Sequence, residues 1–223
     1  LGDSQNASTW CDSGDAFAAP INRAYIDNIT VVVAAGNNNN FTGIASPACI
    51  KNATSVSSST KADVMSSFNR ANITDLVAPG NFINTLALGG GNTTASGTSF
   101  AAPHASASIV LLRQFERINN NTNLTPSQLQ QKLNASGRQI NDTAGSVLLF
   151  YRIDPYAAIL AEDNEAPNIT FAASSPVNGT KSTRHNHLFN ISSTETLTNA
   201  FFEVDNGSRT NVSMNGSGTS WTL

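Results

Sequence analysis

The chain has 223 residues, 39% of them hydrophobic and 12% charged, with a formal net charge of -3. That is enough apolar material for one large or two small domains, and the charge balance offers no basic patch for nucleic acid. No apolar run reaches the roughly 20 residues of a membrane-spanning helix.

Asparagine, serine and threonine are abundant. About sixteen Asn-X-Ser/Thr sequons occur, among them Asn28-Ile29-Thr30, Asn72-Ile73-Thr74 and Asn168-Ile169-Thr170. Their density predicts an exported glycoprotein, extracellular or at the cell surface, with glycans on surface loops. Two cysteines, Cys11 and Cys49, fit that compartment. One pair there reads as a single disulfide, with two buried free thiols as the alternative. The chain opens at Leu1 rather than at a methionine and shows no signal peptide, so it reads as a piece of a longer polypeptide.

In chain order, Asp12 or Ser13 is read as the N-cap of a helix over about 15–27. Phe17, Ile21, Ala24 and Tyr25 share one face of it, and Pro20 keeps it short or kinked. Ile29 to Ala35 is an apolar, β-branched run of the kind buried on both faces of a sheet. A helix followed by such a strand predicts a parallel α/β sheet. Gly36-Asn37 ends the strand, and ligands bind beyond the carboxyl ends of such strands. Asn37 can donate an amide N–H to an oxyanion. The plain alternative is a turn asparagine, since Asn38, Asn39 and Asn40 follow. Ala53 to Ser58 reads as a weak strand, Val64 to Phe68 and Leu76-Val77 as short apolar pieces, and Ile83 to Leu88 as extended. Gly89-Gly90-Gly91 lacks the Lys-Ser/Thr continuation of a phosphate loop.

Ser96-Gly97-Thr98-Ser99 then leads into the longest apolar helical run, Ala101 to about Arg117. Small residues permit a sharp turn, and Ser99 falls at the positive end of the helix dipole, where a nucleophile is well mounted. Such a hydroxyl still needs a base and a site for the oxyanion. Thr125-Pro126-Ser127-Gln128 is a capping box opening a helix to about Leu133. Val147 to Ile153 reads as a strand, and Asp154 to Leu160 as a closing helix. Past a polar linker at 162–167, short alternating runs with turn signals predict an antiparallel β-sandwich of immunoglobulin-like type over 168–223. Its four or five strands are too few to close two sheets.

Gly97-Thr98-Ser99-Phe100-Ala101-Ala102-Pro103-His104 resembles the nucleophile motif of the subtilisin-like serine peptidases, the subtilases. Val31-Val32-Val33-Ala34-Ala35-Gly36-Asn37 resembles the strand carrying that family's oxyanion-hole asparagine, and Ala78-Pro79-Gly80 the turn between them. The resemblance covers roughly residues 1–160. It implies an α/β fold, a partial subtilisin-like parallel sheet flanked by helices, over 1–161. It implies Ser99 as nucleophile, Asn37 in the oxyanion hole, and Leu1, Gly2, Ala35, Gly36 and Thr98 as substrate-binding positions against a polypeptide. A Cys11–Cys49 bridge would then brace the wall of the specificity pocket, and Ser46-Pro47 matches a position with a cis peptide. Phe100 stands where the family usually has methionine. Calcium enters only through the resemblance: no segment shows a cluster of oxygen ligands, and no metal ligand is assigned.

The family orders its triad Asp, His, Ser, yet no histidine precedes Ser99. His104 lies five residues after Ser99 on the same helix, roughly 140° round the axis at about 100° per residue, and is assigned a structural role. His185 and His187 read as solvated tail residues. Asp12 in Asp12-Ser13-Gly14 follows no buried strand and is not taken for the triad acid. The acid and base are therefore expected upstream of Leu1. The reading is a serine endopeptidase, with the isolated chain inactive. The alternative from another class is an inactive member of the fold serving as a surface adhesion or binding module, its β tail meeting cell-surface or matrix partners. A sedolisin-type acid peptidase fits less well, because Asn37 stands where sedolisins place an acid.

Overall fold

The computed structural model describes residues 6–162, 169–171, 190–197, 201–205 and 209–222. It divides into two compact units, Leu1–Asp163 and Asn164–Leu223. The first carries β1 (Asn6–Ala7), α1 (Ala18–Ile26), β2 (Val32–Ala34), β3 (Ile44–Ala45), β4 (Thr54–Ser59), β5 (Leu76–Pro79), β6 (Ile83–Leu86), β7 (Asn92–Ala95), α2 (Thr98–Asn119), α3 (Pro126–Ala135), β8 (Arg138–Asn141), β9 (Leu149–Arg152) and α4 (Pro155–Glu162). Its main sheet has the order β2-β4-β5-β9-β8. The first four strands run parallel, and β8 closes the edge antiparallel. This is an α/β arrangement, a mostly parallel sheet flanked by helices.

Residues spaced by three and four, Ala101, Ala105, Ile109 and Leu112, give α2 a buried stripe. It packs with Val56, Leu76 and Ala78 of the sheet, and with Leu129 and Leu133 of α3. The small alanines let the helix lie close to the sheet, and each buried leucine contributes roughly 1.5–3 kcal/mol. The capping box at Thr125 is formed: Thr125 N–H donates to Gln128 Oε1 at 2.9 Å, and Gln128 N–H to Thr125 Oγ1 at 3.4 Å.

Three expectations shift. Val32–Ala34 is half-buried rather than buried on both faces: among the described residues β2 stands at the edge of the sheet and pairs there with β4 alone. The cap of α1 is not Asp12 or Ser13. Asp15 accepts from Phe17 N–H at 2.8 Å just ahead of the helix, while Asp12 accepts from Lys51 N–H at 3.0 Å and ties that loop down. The weak strand near 53–58 is fully buried as β4. Its serines are tolerated because each bonded hydroxyl has a nearby partner: Ser55 with Asp75, Ser57 with the Asn69 carbonyl, and Ser58 with Ser66.

Two carboxylates outside the helices are desolvated with opposite consequences. Asp75, at the amino end of β5, takes two 2.7 Å bonds from Ser55, yet burial pushes its pKa up to about 6. Asp142 is also desolvated, but bonds from Arg70 and Ser146 outweigh burial and hold it below the ordinary range. Arg70 grips it with Nε and Nη2 at 2.6 and 2.8 Å, and both side chains are 4% exposed.

In the second unit, β10 (Ile169–Phe171), β11 (Asn190–Leu197) and β14 (Asn215–Thr222) form one antiparallel sheet, and β12 (Phe201–Asp205) pairs with β13 (Arg209–Ser213). The strands expected there are antiparallel; the linker lies almost wholly outside the described residues.

Between about pH 4 and 6 the folded protein holds a proton on Asp75 that the unfolded chain, with its ordinary value of 3.8, has released. Unfolding free energy should therefore fall as pH rises through that window. Urea titrations across it should show Asp75→Asn flattening the slope. Asp142→Ala leaves Arg70 buried without its carboxylate and should cost about 3–5 kcal/mol at neutral pH, read from the same denaturation curves. The Arg70–Asp142 contribution is present above the ordinary value of 3.8 and lost as pH falls through the depressed one.

Candidate active site

β2, β4 and β5 are parallel, so their carboxyl ends lie at one edge of the sheet. Asn37 follows β2 there, Gly80 follows β5, and the amino terminus of α2 comes down on the same edge. Gly80 is required by close approach: a Cβ would stand 2.6 Å from Ser58 Oγ and 2.7 Å from the Gly97 carbonyl. In return, the Gly80 carbonyl accepts from Gly97 N–H at 2.8 Å. The turn into α2 is thereby held against the end of β5.

Thr98 joins this turn to the end of β2. Its backbone N–H donates to Asn37 Oδ1 at 2.8 Å, and its hydroxyl lies 3.0 Å from the same oxygen. That hydroxyl also accepts from Gly36 N–H at 3.1 Å and lies 3.2 Å from the Gly36 carbonyl. Thr98 is fully buried. A backbone N–H can only donate, so the atom of Asn37 facing Thr98 must be the carbonyl oxygen. Among the described residues nothing takes the amide NH2 of Asn37, and Asn37 is exposed. Gly97, the N-cap of α2, keeps this space open: a Cβ there would stand 3.3 Å from Asn37 Nδ2.

Ser99 follows on the first turn of α2 and is exposed. Among the described residues nothing bonds its hydroxyl. Its backbone N–H is one of the donors a helix amino terminus leaves open. Thr98 N–H is taken by Asn37 and Phe100 N–H by the Gly97 carbonyl at 3.0 Å. Pro103 has no N–H to offer the Ser99 carbonyl four residues back. The turn thus presents a hydroxyl, an open N–H and a carboxamide NH2 at the positive end of a 22-residue helix. These groups can receive a developing oxyanion.

The structure brings together Gly36, Asn37, Thr98 and Ser99, with Ala35 buried beneath. Leu1 and Gly2 lie outside the described residues. Cys11 and Cys49 are joined as a disulfide with Cα atoms 5.4 Å apart. They line a cavity of about 280 Å³ together with Asp15 and Ser46, and the Ser46-Pro47 peptide is cis. His104 is exposed and donates Nδ1–H to the Phe100 carbonyl at 2.7 Å, so it is not bonded to Ser99. His185 and His187 lie outside the described residues. Sequence reasoning missed Asn69, a fully buried side chain whose Oδ1 accepts from Asn38 N–H at 2.7 Å and Asn40 N–H at 3.2 Å. Nothing local marked it, since its partners lie about thirty residues upstream.

The turn sets an exposed serine at a helix amino terminus beside an outward-facing carboxamide, at the carboxyl edge of a parallel sheet. The chain belongs to the subtilase family, whose model matches residues 1–153. It is 34% identical over 135 residues to alkaline serine exoprotease A of Vibrio alginolyticus, a match covering 59% of this chain and 24% of that protein. To the alkaline proteinase of Hapsidospora chrysogena it is 37% identical over 137 residues, covering 59% and 33%. The chain thus spans about a quarter to a third of these relatives. The crystal structure of a cold adapted subtilisin-like serine proteinase superposes with a TM-score of 0.55 at 32% identity, covering 69% of this chain and 53% of that one.

Thr98→Val keeps the shape of the side chain but removes the acceptor of Gly36 N–H. It should cost about 1–3 kcal/mol of stability, and a denaturation curve matching that of the unsubstituted protein would show that the Thr98 hydroxyl does not hold the two segments.

Proposed function

We propose that this chain carries the nucleophile and oxyanion-binding parts of a serine endopeptidase that cleaves polypeptides through an acyl-enzyme. The observation that supports this best is the pair of 2.8 and 3.0 Å contacts from Thr98 to Asn37 Oδ1, which turn the Asn37 amide outward beside Ser99. Ser99 Oγ attacks the peptide carbonyl as a general base takes its proton. The carbonyl oxygen becomes an oxyanion, bound by Asn37 Nδ2 and Ser99 N–H. Collapse breaks the C–N bond, the protonated base returns its proton to the amine, and water repeats the sequence to release the acid. The base and its carboxylate partner are assigned to residues of the intact protein upstream of this chain, in the family's Asp, His, Ser order. His104 is committed to the Phe100 carbonyl and is no candidate.

An extracellular, glycosylated protein fits the same reading. Asn72, Asn92, Asn123 and Asn141 head sequons and are exposed. Among the described residues no helix is long and apolar enough to cross a membrane. The strands after 168 pair antiparallel, and an immunoglobulin-like accessory module there, with cell-surface or matrix partners, is part of the proposal.

In the intact protein, Ser99→Ala should reduce peptide hydrolysis by at least about 10⁴-fold. Asn37→Ala should lower kcat by about 10²–10³-fold with KM little changed. Hydrolysis that survives Ser99→Ala would sink the reading.

A further inference from the structure

The loop that carries Asn37 runs from Gly36 to Asn40, and Asn37 and Asn38 are exposed. Gly36 has φ 110° and Asn39 φ 56°, conformations a chain does not hold by local preference alone. Thr98 fixes the carboxamide from one side, but a second grip holds the backbone. Asn69 is fully buried and bonds the loop at three points. Its own N–H donates to the Gly36 carbonyl at 3.1 Å. Its Oδ1 accepts from the N–H groups of Asn38 and Asn40, the residues on either side of Asn39. Its Nδ2 donates to Asn6 Oδ1 of β1, and its carbonyl accepts from Ser57 Oγ at 2.8 Å. Every polar group of the residue is therefore in use. Gly36 must be a glycine partly on its account: a Cβ there would stand 2.8 Å from Asn69 Nδ2.

Asn69 is itself pinned. The next residue, Arg70, donates its N–H to the Asn40 carbonyl at 3.0 Å and lies 4.0 Å over the Phe41 ring. Its guanidinium is locked to Asp142 and to the carbonyls of Ser66 and Phe68. The oxyanion loop is thus referenced to β8 and β9 through a buried ion pair, independently of its contact with α2.

We propose that Asn69 is the positioning residue of the oxyanion-binding loop. By accepting from two backbone N–H groups it sets where the Asn37 amide stands relative to Ser99. It touches no substrate and acts only through Asn37. The proposal rests on the peptidase reading above.

The test is a double-mutant cycle on peptide hydrolysis by the intact protein, with Asn69→Ala, Asn37→Ala and the pair. Asn69→Ala is expected to lower kcat by about tenfold or more with KM within about twofold. The double variant should be no slower than Asn37→Ala alone, because the group through which Asn69 acts is already gone. Amide exchange at Asn38 and Asn40 should accelerate in Asn69→Ala and not in Asn37→Ala. Losses that multiply in the double variant, or an unchanged kcat in Asn69→Ala, would overturn the positioning role. Should Asn69→Ala fail to fold, Asn69→Ser goes through the same cycle. Failure of the peptidase reading looks different: hydrolysis in the unsubstituted protein would be missing, or indifferent to Ser99→Ala.

Discussion

The site depends on one bond between segments 61 residues apart, from Thr98 N–H to Asn37 Oδ1. A helix amino terminus has N–H groups with no helical acceptor, and a carboxamide oxygen is a good one. Satisfying Thr98 with a side chain from the loop after β2, rather than with a local cap, has two effects. It ties the first turn of α2 to the end of the neighbouring strand. It also determines which end of the Asn37 amide faces outward, because the oxygen is used inward. The absence of a side-chain N-cap at Gly97 follows, since capping is done from across the sheet.

That bond can hold its geometry only if both sides are rigid. On the α2 side, Ala101 and Ala105 pack the helix against β4 and β5, and Gly80 lets the turn approach the end of β5 closely. On the loop side, rigidity comes from buried polar groups instead of apolar packing. β4 is nearly all hydroxyl residues, and its partners Asn69, Ser66 and Asp75 belong to the segment linking it to β5. A leucine-rich strand would pack against α2 equally well, but it could not direct the chain between 57 and 75. Hydrogen bonds have the directionality that dispersion lacks, and in a buried setting an unmet one is costly.

What the sequence revealed divides along the same line. α2 and α3 were legible because their signals are local: the apolar stripe from Ala101 to Leu112, and Thr125 with Gln128 three residues on. The order Asn37, Gly80, Ser99 was legible because motifs at those places have few other uses. β7 and β8 were not. Asn92–Ala95 and Arg138–Asn141 are polar and mostly exposed, and they are strands only because β6 and β9 offer edges to pair with. β4 looked weak for the same reason, its hydroxyls being satisfied by residues up to 20 positions away. Asn69 left no trace, since an asparagine in a polar stretch looks alike whether it faces water or three backbone groups.

The two desolvated carboxylates show why such readings stop short of electrostatics. Asp75 and Asp142 each accept from one serine, Ser55 and Ser146, through its backbone N–H and its hydroxyl. The difference is Arg70. With a guanidinium in two-point contact, Asp142 is favoured as the anion in spite of its burial. Asp75 has only the neutral Ser55 to compensate its desolvation, and the balance goes the other way. Arg70 stands beside Asn69 and is 72 residues from Asp142. The charge pair at the far edge of the sheet is therefore next in sequence to the residue that bonds the loop from Gly36 to Asn40. Protonating Asp142 would loosen both at once, whereas protonating Asp75, at the opposite end of the strands, leaves the Asn37–Thr98 bond undisturbed.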